Sequence, residues 1–222
     1  MTARSTDALT AAAIPRERWG TRRLGTLTDD EREFYRWILR SFGAARPPGP
    51  EELTDAASQF ELEVEPALER LADADLVHHD PATGAILVAY PFSGRPTAHR
   101  VRFESGESVF AMCAIDALGM APMLGEPIEI ASRDPLTGEE IRIELEPEGR
   151  GSWLPQEAVV VCGTSGNDTS SSSCCPALNF FVSTENAERW LDLHREVRGS
   201  VASMEDAIAA GRTVFGDLLK ED

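Results

Sequence analysis

Two groups of residues in this chain could carry chemistry. The first is Cys113-x-x-Asp116, set in Ser108–Leu124, where nearly every other residue is apolar. The second is the adjacent pair Cys174-Cys175, which follows the polar stretch Gly163–Ser173 and precedes the apolar run Leu178–Val182. A carboxylate in so apolar a segment is costly to bury without partners, and a thiol one turn away could be such a partner. Two or three thiols together can hold a soft metal ion. A plainer alternative stays open at this point: Cys113 as a small core residue and Asp116 emerging at a helix end.

The elements that must position these residues follow from local pattern. Ser108–Leu124 reads as a short buried helix, with Ser108 as N-cap and Gly119 and Pro122 ending it. That reading puts Cys113 and Asp116 on one helix face. Upstream, Thr28 and Asp29-Asp30 cap a helix through about Phe42, whose apolar face is Phe34, Trp37, Ile38 and Phe42. Gly43–Pro50 is a turn, Pro50 opens a second helix ending near Phe60, and Val64–Asp73 makes a third. Leu76–His79 and Ala85–Ala89, joined by Asp80-Pro-Ala-Thr-Gly84, read as a hairpin. Downstream, Ala98–Phe103, Ile128–Ile130, Ile141–Leu145, Ala158–Cys162 and Leu178–Val182 read as strands. Thr184 caps a helix to about Arg198, and a last helix runs from about Ser203 to Leu219. Gly163–Ser173 reads as a mobile surface loop.

This order predicts an α+β fold: an N-terminal winged-helix-like three-helix unit, then a mixed β-sheet core with flanking helices. Residues 1–27 read as a flexible arm, 28–90 as the winged-helix-like subdomain and 91–222 as the unit carrying the chemistry. Three helices and a hairpin often bind DNA through a basic third helix. Here the third helix carries Glu63, Glu65, Glu69 and Asp73 against the single Arg70, and the formal net charge is -17. Both argue against nucleic acid or an anionic membrane as partner. Met1–Arg23 has no apolar core of a secretion signal and no run approaches a membrane span, so the expected location is cytoplasmic. Four cysteines in that compartment do not suggest structural disulfides, and none has ordinary zinc spacing. Cys162, Trp153 and Trp190 read as packing residues, and His99 as a strand residue facing solvent or a carbonyl.

Two stretches together resemble the organomercurial (alkylmercury) lyases. One is Phe110-Ala-Met-Cys113-Ala-Ile-Asp116-Ala-Leu followed by Pro122. The other is Cys175-Pro-Ala-Leu-Asn-Phe180-Phe181-Val-Ser followed by Ala187-Glu-Arg-Trp190. The resemblance implies that residues 91–222 are a lyase-like catalytic domain with Cys113, Asp116 and Cys175 as its catalytic residues. Cys113 and Cys175 would hold mercury, with Cys174 as the other candidate for the second thiolate. It further implies protonolysis of a carbon–mercury bond in a small organometallic substrate, giving a hydrocarbon and Hg(II). No cofactor would be needed, external low-molecular-weight thiols would act as co-reactants, and those thiols or a mercuric reductase would accept the Hg(II). Phe110, Met112 and Phe180 could line a pocket for the organic group. Two other readings stay open: a relative cleaving a different bond, and a non-catalytic binder of a soft ion such as Cu(I), Zn(II) or Hg(II). A buried acid separates these readings, since a binder does not need one.

Overall fold

The computed structural model describes residues 23–166 and 169–220, so residues 1–22 of the expected arm lie outside it. Three helices come first: α1 (Asp29–Gly43), α2 (Pro50–Gln59) and α3 (Val64–Asp73). Their ends obey local chemistry. Thr28 Oγ1 accepts the Glu31 amide at 3.2 Å while the Glu31 carboxylate accepts the Thr28 amide at 2.8 Å, a reciprocal capping box. Pro50 occupies the first turn of α2, where its missing N–H leaves nothing unpaired. The residues just before α1 are packed, with Leu24 and Leu27 in the core.

The hairpin β1 (Val77–His79) and β2 (Ile86–Ala89) follows as expected. It does not close a separate small sheet. Its second strand pairs with β3 (Phe92–Ser93), and the sheet runs on through β5 (Ser108–Ala111), β4 (His99–Phe103), β6 (Ile128–Arg133), β7 (Glu140–Leu145) and β8 (Gly151–Leu154). A second sheet has β9 (Val159–Thr164) flanked by β10 (Asn179–Phe181) and β11 (Arg198–Ser203). Every strand pair among the described residues is antiparallel, so the sheets are not mixed. Tight turns such as Asp134–Gly138, where the Asp134 carboxylate accepts the Leu136 and Thr137 amides, suit antiparallel neighbours.

The largest correction concerns Ser108–Leu124. Its first part is strand β5, paired with β4 on one side and β3 on the other. Helix α4 begins only at Ala114 and runs to Leu124. Val109 and Ala111 alternate inward as a strand requires, and two flanking strands outweigh the capping preference of Ser108. Cys113 is the N-cap of α4, and Gly125, at φ 75°, ends it in the left-handed conformation. Gly119 and Pro122 lie inside the helix.

Gly119 is there for a packing reason. A Cβ on it would stand 2.3 Å from the Phe215 ring, and a Cβ on Gly211 would stand 2.9 Å from the Gly119 nitrogen. These two glycines let α4 cross the last helix, α7 (Met204–Phe215), at close range. Two further readings change downstream. Helix α6 spans only Thr184–Leu193, is capped by Ser183 and gives way to strand β11, which pairs with β9. In the Ser-rich stretch, Gly163 and Thr164 belong to β9, and Ser170–Ser173 form one helical turn, α5, with Ser170 and Ser173 buried. One continuous apolar core joins the three helices, the large sheet, α4 and α7. No helix among the described residues is long and apolar enough to cross a membrane.

The α4–α7 crossing can be tested. Gly211→Ala places a methyl against backbone that cannot rotate away, so the helices must separate. The expected loss is about 1–3 kcal/mol, read as a Tm lower by about 2–10 °C in thermal unfolding at neutral pH. An unchanged Tm would show that the crossing has slack.

Candidate active site

Three chain segments meet at the N-terminal end of α4. Strand β5 delivers Cys113 to the cap position, where its sulfur accepts the Asp116 amide at 3.5 Å. One turn into the helix, Asp116 turns its carboxyl toward the same point. Cys175 comes from the other half of the chain, in the single 3-10 turn Cys175–Ala177 between α5 and β10. The Leu178 carbonyl accepts the Ala114 amide at 3.0 Å and so ties this turn to the first residue of α4. The Cys175 thiol faces the Asp116 Oδ2 at 3.8 Å. One ligand atom from each of Cys113, Asp116 and Cys175 lies within 4.8 Å of the others.

All three side chains are buried: Cys113 is 1% exposed, Asp116 5% and Cys175 7%. Burial penalises ionised forms. It pushes the Asp116 carboxyl up to about 7, against opposing hydrogen bonds from Cys113 and Cys175 and the nearby Arg23 charge. The Cys113 thiol is pushed well above its usual value by burial, with the Cys175 and Asp116 groups adding to it. For Cys175, the Cys113 hydrogen bond acts downward, but burial and the charges of Asp116 and Cys174 together carry it up. The two thiols therefore keep their protons at neutral pH, and the Asp116 carboxyl keeps its own up to about pH 7. A charge that does form on Cys113 sits at the helix N-terminus, where the free amides favour an anion.

The N-terminal unit closes the site from above. Arg23 reaches Asp75 Oδ2 at 3.1 Å and Ser170 Oγ at 2.7 Å, and it also donates to the Asp75 carbonyl. Asp75 accepts the Ser170 amide at 3.0 Å, the Ser170 hydroxyl at 2.7 Å and His78 Nε2 at 2.8 Å. This cluster holds the segment leading into Cys174-Cys175 against the three-helix unit. The stretch expected to be mobile is thus anchored through Ser170, while residues 167 and 168 lie outside the described part.

Other sequence candidates fall elsewhere. The Cys174 sulfur lies 3.8 Å from Thr164 Oγ1 and 3.7 Å from Ser173 Oγ, outside the group of three. Cys162 is fully buried in β9, and burial pushes its thiol up to about 12. His99 does not face solvent. It is 3% exposed, 2.9 Å from Ser132 Oγ and edge-on to Phe180 at 5.6 Å, and burial lowers it to about 4, so it stays neutral. Trp190 packs between Phe181 and His194, as expected of a core residue. Phe180 is fully buried, whereas Phe110 and Met112 are half-buried. Arg23, Asp75 and Tyr90 are neighbours that reading the sequence passed over. No local signal marks them, because only the tertiary fold brings them to the site.

Comparison with known proteins places the chain in a family. The family model for alkylmercury lyase (MerB) matches residues 92–216, which include all three site residues. The chain is similar to an alkylmercury lyase of Staphylococcus epidermidis, 30% identical over 180 residues, covering 81% of this chain and 80% of the relative. It is similar to one of Bacillus cereus, 31% identical over 181 residues, covering 81% and 79%. A third, from Streptomyces lividans, is 27% identical over 190 residues and 85% of each chain. Among solved structures, the mercury-bound form of MerB2 shares the fold, with a TM-score of 0.75 at 20% identity over 97% of this chain and 100% of that one. With the family model spanning more than half of its length, this chain belongs to the alkylmercury lyase family of enzymes.

Proposed function

We propose that this enzyme cleaves the carbon–mercury bond of small organomercurials by protonolysis at Cys113, Asp116 and Cys175. The observation that carries the reading is the buried trio itself: two thiols that suit a soft ion, beside a carboxyl that stays protonated to about pH 7. Hg(II) prefers sulfur to oxygen or nitrogen donors. The two thiols replace the substrate's other ligand and leave as thiolates on mercury. Their electron density makes the mercury-bound carbon basic. Asp116 gives its proton to that carbon and takes one back from a thiol, so it relays one thiol proton overall, and a general acid with a pKa near the working pH suits the task. The balance is closed. One organomercurial and two thiols give one hydrocarbon, one mercury bis-thiolate and the substrate's leaving ligand in its protonated form. No electron changes hands, so the proposal needs no redox cofactor. External thiols or a mercuric reductase then take the Hg(II), and the cytoplasm is the proposed setting.

Asp116→Asn keeps the size and removes the acid. The variant is expected to bind Hg(II) nearly as the parent does, because amide and carboxylate are both weak donors to a soft ion. Hydrocarbon release from a simple organomercurial in excess thiol should slow by about 10²–10⁴-fold. Parent-level turnover in this variant would refute the proton role.

Cys113→Ser and Cys175→Ser should lose both Hg(II) binding and turnover, whereas Cys174→Ser should be mild. Mercury titration beside the same hydrocarbon assay decides it. A Cys174→Ser variant as damaged as Cys175→Ser would move the second thiolate to Cys174.

Asp116 also sets a pH dependence of stability. Its carboxyl titrates near 3.8 in the unfolded chain and near 7 in the folded one. Between these values the folded state holds a proton that the unfolded state has lost, so its contribution is full below about pH 4 and is lost as pH rises to about 7. Asp116→Asn should remove that slope and be more stable than the parent at pH 8 by on the order of a few kcal/mol. Urea unfolding at pH 5 and pH 8 measures it, and a parent-like slope in the variant would place the titration elsewhere.

A further inference from the structure

Tyr90 follows strand β2, and its surroundings point at the site. The ring is 4% exposed. The Arg23 guanidinium lies over it, 5.6 Å from the centroid, and the His78 ring meets it edge-on at 6.4 Å. Its backbone is held firmly: the amide donates to the Leu76 carbonyl at 3.1 Å, and the carbonyl accepts the Tyr35 hydroxyl at 2.7 Å. The next residue, Pro91, accepts the Met112 amide at 3.1 Å, one position before Cys113. The ring therefore has little freedom to move relative to the trio.

The hydroxyl is the anomaly. Its oxygen is buried and makes no hydrogen bond among the described residues. The Cys175 sulfur and the Ser171 hydroxyl are its polar neighbours, near enough to interact but neither in hydrogen-bonding geometry. A buried donor left unpaired is costly, and a role in binding or catalysis is one reason native proteins keep such a group. A neutral thiol is a weak acceptor, whereas a thiolate accepts strongly. Cys175 becomes a thiolate when it binds mercury. The phenol remains a donor at that moment, since burial and the neighbouring Cys175, Asp75 and Asp116 all disfavour its ionisation.

We propose that Tyr90 is a positioning residue of the site: its hydroxyl donates a hydrogen bond to the mercury-bound Cys175 sulfur and weakens that sulfur's hold on the ion. A donor to a coordinating sulfur draws electron density away from the metal, as hydrogen bonds to the sulfurs tune iron–sulfur clusters. Cys113, at the helix N-terminus, and Cys175, beside Tyr90, are then unequal ligands. Cys175 is the one that yields first when an external thiol collects Hg(II). The inference rests on the proposed reading only in taking Cys113 and Cys175 as the mercury ligands.

The test is Tyr90→Phe in the full chain, loaded with Hg(II) alone. Two readouts apply: the ultraviolet sulfur-to-mercury charge-transfer band, and the rate at which excess glutathione removes the metal. Loss of the hydrogen bond should move the band to longer wavelength and slow removal by about tenfold, the order expected for one hydrogen bond to a charged sulfur. The free variant should be no less heat-stable than the parent, because the deleted hydroxyl has no partner there. A band and removal rate equal to the parent's would overturn the inference, as would a lowered Tm with both readouts unchanged. A parent chain that binds no Hg(II) would overturn it too. A parent chain that binds Hg(II) and shows the Tyr90 effect, yet releases no hydrocarbon, would instead refute the proposed cleavage and leave this inference standing.

Discussion

Keeping one carboxyl group uncharged in an apolar interior is the constraint on which this structure depends. Asp116 is buried one turn into a helix whose other residues are almost all apolar and buried. Ionised there, it would need solvent or a close cation, and the nearest, Arg23, is already engaged by Asp75 and Ser170. The low-cost solution is to keep the proton and surround the group with soft, weakly polar neighbours, which is what Cys113 and Cys175 supply. The same condition that makes the group costly to bury holds its proton to about pH 7, which is what the proposed reaction asks of it. Stability and chemistry are thus two readings of one desolvated group.

The rest of the fold maintains that condition. The glycine crossing of α4 and α7 seals the helix from one side. The Leu178–Ala114 hydrogen bond sets the Cys175 turn against the helix start from another. The Arg23–Asp75–Ser170 cluster closes the third side by joining the N-terminal helices to the turn that precedes the second cysteine. Arg23 and Ser170 are 147 residues apart in the chain, so the site is assembled across most of its described length. The segment before the three helices contributes the nearby positive charge, Arg23, and Asp75, just after the third helix, holds it in place.

Membership in the alkylmercury lyase family and the buried trio support each other by separate routes, one from similarity along the chain and one from the placement of sulfur and carboxyl atoms. The separation of the two adjacent cysteines is a product of local geometry. Cys174 ends the short helix α5 and turns toward Thr164 and Ser173, while Cys175 opens the 3-10 turn and faces Asp116. Adjacent residues in such a tight bend point in different directions, so one thiol joins the site and its neighbour packs beside it.

Much of the framework was legible in the amino-acid order because its signals are short-ranged. The Thr28–Glu31 capping box, Pro50 at a helix start, the Asp80–Gly84 turn and the apolar spacing of α1 and α3 each act within about one turn of chain. The residues with soft-metal and acid chemistry could likewise be named from type and spacing. Their arrangement could not. Ser108–Ala111 has the composition of a buried helix and becomes a strand because β3 and β4 flank it, which moves Cys113 from mid-helix to the cap. The Ser-rich stretch looks solvent-loving and is anchored because Asp75 and Arg23 wait for Ser170. Tyr90 carries no motif at all and reaches the site by folding alone. Strand pairing, burial and charge compensation depend on partners tens to hundreds of residues away, so the order of residues decided which chemistry was present and the tertiary structure decided where it could act.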